Sequence, residues 1–354
     1  MAARYPAEIR ALLAQIAPGK PLRDGMDRIL QAGMGGLVVV GDGPAVLNIC
    51  SGGFLLDAAY SPQRLSELAK MDGALILASD GSRIARANVH LVPDSTVHTS
   101  ETGTRHRTAE RVARSLNVPV IAVSHRMNTI TVYVGDHKHE IEPIPRLFNR
   151  ANQAVSTLER YRTRLDTDAA GLSTLEIEDV VTIRDVINVV QVLEGMERIA
   201  EELEGHIVEL GEEGRLVRLQ LVELIGGVGH DRRHIVRDYR GDDKTVPLDA
   251  VLDNLASLST DDLIDPAEVA AALRLPTIAL DAAVAPRGFR MLSKIPRLPD
   301  PIIENIVGRF GNLQKIMRAT IEDLDNVEGV GEMRAHAIKD GLARLAESAI
   351  LDRY

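Results

Sequence analysis

Short runs of β-branched and aliphatic residues alternate with amphipathic stretches through the first 145 residues of the chain. Leu37-Val38-Val39-Val40-Gly41, Ala74-Leu75-Ile76-Leu77-Ala78, Val118-Pro119-Val120-Ile121-Ala122-Val123 and Thr129-Ile130-Thr131-Val132-Tyr133-Val134 are each bounded by Gly, Asp, Asn or Pro, which predicts four strands. Between them, Pro62–Lys70 and Thr108–Leu116 read as helices, and Ala109, Val112, Ala113 and Leu116 recur at the spacing of one apolar helical face. Residues 1–145 are therefore expected to form a layered α/β domain. The last run abuts Gly135-Asp136-His137-Lys138-His139, which reads as a solvated turn leading to an edge hairpin, with its histidines as turn residues rather than metal ligands.

The pattern changes over 146–285. Leu175–Ile225 is almost continuously helix-compatible and lacks proline. Met196, Ile199, Leu203, Ile207 and Leu210 step by three or four along a packed face, and Glu201, Glu202, Glu204 and Glu209 lie mostly off it. Gly211 and Gly214 are expected to interrupt or end a helix. Gly226-Gly227-Val228-Gly229 lacks the Lys-Ser/Thr of a phosphate loop and reads as a helix stop. This all-α region is expected to act as a spacer or self-association spine.

A third region, 286–354, begins near Pro286. Between Pro286 and Arg318 stand Arg287, Arg290, Lys294, Arg297, Arg309, Lys315 and Arg318 against only Asp300 and Glu304, a net +5 in a chain of net charge −10. Such asymmetry suits a nucleic-acid contact made by a local patch. One cysteine, Cys50, excludes an intramolecular disulfide and a thiolate zinc site, as fits a reducing cytoplasm. No leader or membrane span is expected from the pattern. Tryptophan is absent and aromatics are few, which disfavours base stacking as the main mode of recognition.

Candidate chemistry sits in two places in the first domain. Thr104-Arg105-His106-Arg107-Thr108 crowds cations and hydroxyls into a helix start, where unpaired N–H groups and the helix dipole favour an anion. This forecasts a polyphosphate site; a charged turn with Thr104 or Thr108 as N-cap is the plain alternative. Asp72-Gly73-Ala74 offers a carboxylate and a close backbone approach at a strand start, and alone it reads equally as a turn. In the third region, Val327-Glu328-Gly329-Val330-Gly331 precedes a helix over about Glu332–Ser348. Two glycines there let backbone N–H groups approach a phosphate, with Val327 and Val330 as anchors and Arg334 and Lys339 as supplementary cations.

The pairing of Asp72-Gly73-Ala74 with Arg105-His106-Arg107 resembles the two signatures of the diadenylate cyclase family. The Val327–Gly331 hairpin closely resembles the helix-hairpin-helix family of DNA-binding modules. Ile295-Pro296-Arg297-Leu298-Pro299-Asp300-Pro301 with Ile302–Phe310 looks like a degenerate first copy, with proline and aspartate in place of the glycines. The resemblance covers essentially the whole chain, including the Leu22–Leu30 helix and the long helical middle.

It implies a mixed sheet flanked by helices, and condensation of two ATP into cyclic di-AMP and two pyrophosphates with Mg²⁺ or Mn²⁺. The two domains would face each other in a homo-oligomer, an octamer by analogy, and the activity would be coupled to DNA binding and DNA-integrity sensing. Under this resemblance Asp72 is the metal and 3′-hydroxyl residue, and Gly73 gives backbone approach. Leu91, in Val89–Pro93, contacts adenine through its backbone. Thr104, Arg105, His106, Arg107 and Thr108 hold phosphates, with Arg105, His106 and Arg107 counted as catalytic beside Asp72, and Ser124 and Arg126 as further phosphate residues. On the residues themselves, His106 reads either as an acid or base or, with its cation disfavoured between two arginines, as a neutral hydrogen-bonding group. Gly329, Val330, Gly331, Arg334 and Lys339 contact the DNA backbone. The residues alone leave open an ATP-sensing DNA-binding scaffold without turnover. They argue against a nuclease or ligase, for want of an acidic cluster or a nucleotidylated-lysine motif.

Overall fold

The computed structural model describes residues 7–241, 246–276 and 279–351. They divide into two compact units: the chain up to Gln153 with Glu202–Gln220, and Ala154–Glu201 with the chain from Leu221 onward.

The first unit is built on a sheet of β1 (Gly36–Val40), β2 (Cys50–Ser51), β3 (Phe54–Ala59), β4 (Ala74–Leu77), β5 (Arg83–Leu91), β6 (Val120–Ser124), β7 (Thr129–Val134) and β8 (His137–Glu140). Their order is β2-β5-β4-β1-β6-β7-β8, with β3 also paired to β5. β1 and β4 are parallel, while β1–β6, β4–β5 and β6–β7 are antiparallel, so the sheet is mixed. The central strands are apolar without alternation because both faces are covered. Val38 and Val40 pack with Leu12, Met26, Ile29 and Leu65 from α1 (Ala7–Gln15), α2 (Pro21–Gln31) and α4 (Pro62–Leu68). Leu37 and Val39 face the other way, onto Ala109, Val112 and Ala113 of α5 (Thr104–Leu116). A short α3 (Pro44–Asn48) joins β1 to β2. The start of α4 follows its sequence: Pro62 occupies the first turn, and the Ser61 hydroxyl accepts from Arg64 N.

Two local readings are corrected. His137 and His139 lie in edge strand β8, paired with β7, rather than in a solvated turn. His139 is tied to the buried Glu209 at 3.2 Å, which explains why that glutamate leaves the solvated face. The long helix-compatible stretch is broken. α6 (Ile144–Glu178) ends where Asp179 takes φ +60°, and α7 (Ile183–Leu210) restarts after Asp185 accepts from Thr182 N at 2.9 Å. Gly211, at φ +56°, opens a 3-10 turn before α8 (Arg215–Leu224).

The second unit is all helical. Gly227, at φ +83°, leads into α9 (Val228–Tyr239), so the glycine run does stop a helix. α10 (Leu248–Ser257), α11 (Thr260–Ile264) and α12 (Pro266–Ala272) follow, the last two started by side-chain caps from Ser259 and Asp265. Two helix–turn–helix pairs close the chain and share one core. The first joins α13 (Phe289–Ser293) to α14 (Asp300–Phe310); α15 (Leu313–Arg318) then leads to the second, which joins α16 (Ile321–Asp325) to α17 (Gly331–Leu351).

The two turns superimpose in hydrogen-bond pattern. Ile295 N donates to Leu292 O and Leu298 N to Ile295 O, as Val327 N donates to Leu324 O and Val330 N to Val327 O. Arg297 (φ +61°) occupies the left-handed position that Gly329 (φ +86°) holds in the second copy. The residues standing in the glycine places of the first copy are therefore Arg297 and Pro299, rather than a proline and Asp300.

The basic stretch is also less exposed than its charge count suggested. Arg287 donates to the carbonyls of Arg237, Asp238 and Arg240. Arg290 is 3% exposed and pairs with Glu176, and the Lys294 ammonium reaches Ser173 at 2.9 Å. Three of the seven cations are thus engaged by the protein itself: Arg290 is buried, Arg287 is half-buried, and Lys294, though exposed, is tied to Ser173.

Candidate active site

The first turn of α5 forms one wall of the site. Gly103 is its N-cap, no side chain caps the helix, and no carboxylate occupies its first turn. Both Thr104 and Thr108 lie inside the helix, so neither is the cap. Arg107 N is the first amide to close a helical turn, onto Gly103 O at 2.8 Å. The amides of Thr104, Arg105 and His106 are left without intrahelical acceptors, at the positive end of the dipole.

Asp72 stands across from this turn. Its side chain is fully exposed, with Oδ1 3.9 Å from Arg105 Nη2. Gly73 is demanded by the neighbouring strand: a Cβ there would lie 2.6 Å from the Asn88 carbonyl carbon. A glycine that sequence reading passed over is Gly35. Its ideal Cβ would fall 2.3 Å from Arg105 Nη1, so the guanidinium lies against bare backbone. Gly35→Ala is expected to push Arg105 off Asp72 and, if the resemblance to the cyclase family holds at this site, to raise the KM for nucleotide about tenfold, in keeping with the loss of one charge-assisted hydrogen-bonding position. Steady-state kinetics beside a melting curve would check this, since the melting temperature should hold.

These residues surround a cleft of about 760 Å³. Asp72, Gly73, Leu91, Thr104, Arg105, His106, Thr108, Ser124 and Arg126 all line it. Arg107 does not; its side chain is exposed outside the lining. Sequence reading missed Glu101, Lys138 and Glu140 on the same wall, and Tyr133 behind them. A signal for them existed in β7: Thr129, Thr131 and Tyr133 put a polar stripe on one face of an otherwise apolar strand.

A hydrogen-bonded chain runs behind His106. The Lys138 ammonium pairs with Glu101, and the Tyr133 hydroxyl donates to Glu101 Oε1 at 2.9 Å. His106 Nδ1 lies 2.8 Å from the Tyr133 oxygen. Burial pushes the Glu101 carboxyl up, but Lys138 and Tyr133 outweigh it and hold the group below the usual carboxylate range. Burial, with the negative Glu101 beside it, lifts the Tyr133 phenol far above its ordinary value. Burial holds His106 below the ordinary imidazole value, against the pull of Glu101. The flanking arginines therefore have a smaller say in its neutrality than desolvation does.

In the second unit, the turn of the α16–α17 pair leaves Gly329 and Gly331 exposed, while Val327 and Val330 are buried beneath them. Arg334 Nη1 donates to Gly329 O at 2.8 Å. Lys339 donates to Met317 O and Ala319 O, each at 2.8 Å, and so closes the end of α15 with two of its three protons.

Residues 23–138, which carry all of the cleft lining except Glu140, match the family described as DisA bacterial checkpoint controller nucleotide-binding, and 141–279 match the DisA bacterial checkpoint controller linker region. The chain belongs to the DisA family. Its relatives include DNA integrity scanning protein DisA of Kineococcus radiotolerans, 53% identical with 99% of both chains covered. The DisA of Frankia alni is 51% identical, with 98% of this chain and 97% of that one covered. The DisA of Streptomyces griseus is 50% identical, with 98% and 94% covered. The DisA nucleotide-binding segment thus contains Asp72, Leu91, the α5 start, Ser124 and Arg126. The hairpin at 327–331 lies beyond both matched segments.

Among the described residues no group of three or more His, Cys, Asp or Glu side chains is placed to hold a metal. An exposed lone carboxylate still suits a hard divalent ion that takes its other ligands from substrate phosphates and water, as Mg²⁺ commonly does. Asp72 fits that role. No helix among the described residues is long and apolar enough to cross a membrane.

Proposed function

We propose that this chain is a diadenylate cyclase that condenses two ATP into cyclic di-AMP and two pyrophosphates. The observation that carries the reading is the convergence, on one nucleotide-sized cleft, of Asp72 and the uncapped start of α5. The free amides of α5, the Arg105 fork and the hydroxyls of Thr104, Thr108 and Ser124 supply donors for a polyphosphate, with Arg126 as a second cation. Leu91, the last residue of β5, lines the cleft and is the position assigned to adenine. A divalent ion, Mg²⁺ or Mn²⁺ held by Asp72, would neutralise the charge that builds on the α-phosphate and leaving group.

One cleft holds one ATP, so two copies must face each other for each 3′-hydroxyl to reach the other α-phosphate. A homo-oligomer follows, an octamer by analogy with the family. Leu216, Leu219 and Val222 on α8, at 65%, 58% and 63% exposure, offer an apolar stripe that suits self-association. Incubating the protein with ATP and each metal, then separating products by chromatography and mass, tests the reading. Bound but unchanged ATP would favour a nucleotide-sensing scaffold.

The C-terminal pairs are proposed as a helix-hairpin-helix module that grips the DNA backbone and couples cyclase output to DNA integrity. Gly329 and Gly331 offer amides at an exposed turn, with Arg334 beside them; Val330, whose amide is closed onto Val327 O, anchors the turn from beneath, and Lys339 adds charge from the end of α15. Because Gly329 and Gly331 hold φ +86° and +64°, side chains there strain the turn. Gly329→Val with Gly331→Val is expected to weaken binding of branched DNA at least tenfold while basal ATP turnover persists. Electrophoretic mobility shift and turnover assays on the same preparation would decide.

A further inference from the structure

Arg233, Arg237 and Arg240 stand at steps of four and three along α9 and its C-cap, and so share one side of that helix. That side lines a cleft of about 810 Å³ in the second unit, together with Glu304, Val307 and Gly308 of α14. A fourth guanidinium in the lining, Arg287, donates to the carbonyls of Arg237, Asp238 and Arg240 and so secures the end of the helix that carries the other three. Four arginines against Asp300 and Glu304 leave the lining at net +2 in an acidic protein. Like charges three and four apart on one helix repel, so the row is destabilising until a counter-charge meets it.

The protein's own counter-charges meet it only in part. Arg233 pairs with Asp249 at 2.8 Å and Arg237 with Glu304 at 2.6 Å, but both carboxylates are exposed, and pairs of that kind are weak enough for a ligand to open. Arg240 donates to the Val246 carbonyl at 2.8 Å and pairs with no carboxylate among the described residues. The Arg237 guanidinium lies 4.0 Å from the centre of the Phe289 ring, which holds its plane without using its donors.

We propose that this cleft binds a free nucleoside polyphosphate, with the arginine row of α9 on its phosphate chain. From Arg233 to Arg240 the row spans about 10 Å, which suits two or three linked phosphates better than a single one. Guanidinium forks are the donors best matched to phosphate oxygens. Leu248 and Val307 supply an apolar side for the nucleoside. DNA is the other source of phosphate, and the geometry of α14 argues against it. Asn305 donates to Glu328 O in the turn proposed to meet DNA. Asn305 lies about 100° round the helix from Glu304, so the cleft and that turn use different faces of α14. A ligand in the cleft touches α9, within the matched linker segment, and α14, beyond it, and so braces the first helix–turn–helix pair against the linker.

Hydrogen exchange on the full-length protein, read with ADP and separately with a DNA duplex, is the test, because it reports each region by itself. ADP is expected to slow exchange of the amides of 233–240 and 304–311 with a saturable midpoint. Arg233→Gln combined with Arg240→Gln should raise that midpoint about tenfold or more, in keeping with the loss of two charged forks. The response of the α5 amides to ADP should stay as it is in the wild type.

No change at 233–240 and 304–311 up to millimolar ADP, or a change that the double variant keeps in full, would overturn the proposal. So would a response of those amides to the duplex alone, which would give the row to DNA instead. If the double variant does not fold, Arg233→Gln by itself decides: its side chain is half exposed, and a shift of about threefold in the midpoint is expected. A wild-type chain whose α5 amides ignore ADP would count against the cyclase reading and leave the α9 cleft untouched, so the two failures are told apart.

Discussion

Asp72→Asn is expected to cut cyclic di-AMP formation by about a thousandfold or more while leaving the protein as stable as before. Asparagine keeps the size and one acceptor oxygen of the side chain but loses the charge that draws a divalent ion to the α-phosphate. A loss of several kcal/mol of transition-state stabilisation corresponds to roughly three decades in rate. The effect on folding is near zero for a separate reason. The Asp72 side chain is fully exposed, and its one ion pair, to Arg105, is long at 3.9 Å. Exposed pairs of that kind contribute well under about 1 kcal/mol. Product measured by chromatography, beside a melting curve and an ATP-binding titration, separates the terms. Turnover surviving in Asp72→Asn would remove the carboxylate from the reaction and leave the scaffold reading standing.

The cleft could be foreseen because its chemistry is contiguous in sequence. Thr104 to Thr108 sit on one helical turn, and Asp72-Gly73 on one strand start, so local rules of capping and charge were enough to find them. The residues behind His106 are scattered. Glu101 is in a loop, Tyr133 in β7 and Lys138 in β8; the pairing of β7 with β8 sets Tyr133 opposite Lys138, and both then bond the loop carboxylate. Arg107 shows the opposite failure. It shares the motif with Arg105 but is two residues on, and at 100° per residue a helix turns the second arginine away from the cleft.

The sheet is a mixed case. β1, β4, β6 and β7 are apolar and were legible. β5 was not: arginines, Asn88 at φ +52° and register shifts against β4 break the alternation that marks a strand. Charge along the sequence misled most in the third region. A count over Pro286–Arg318 cannot distinguish an arginine at the surface from one that binds carbonyls inside, as Arg287 does.

Arg290→Met is expected to be the most destabilising single change in the second unit, at about 3–5 kcal/mol. Arg290 and Glu176 are 3% and 0% exposed. Arg290 Nε donates to Glu176 Oε1 at 3.0 Å, Nη2 donates to the other oxygen and to Ser173 Oγ, and Tyr239 donates to Oε1 at 2.7 Å. Behind this group, the Asp238 carboxylate accepts from the amides of Gly288, Phe289 and Arg290 at the start of α13. The pair thus pins α13, and with it the first helix–turn–helix pair, onto α6 and α9. Methionine fills much of the arginine volume but leaves Glu176 as a buried charge with one neutral donor.

The cost lies in that stranded charge rather than in the pair itself, so Glu176→Leu combined with Arg290→Met should recover most of the loss. Strong non-additivity of this sign is the mark of a desolvated ion pair. Because the chain lacks tryptophan, hydrogen exchange of the α13 and α14 amides in urea is the direct measurement. Exchange that speeds in Arg290→Met and slows again in the double variant would assign the penalty to Glu176. Equal exchange in wild type and Arg290→Met would mean that the apolar core around Leu292 and Ile303 holds the unit without it.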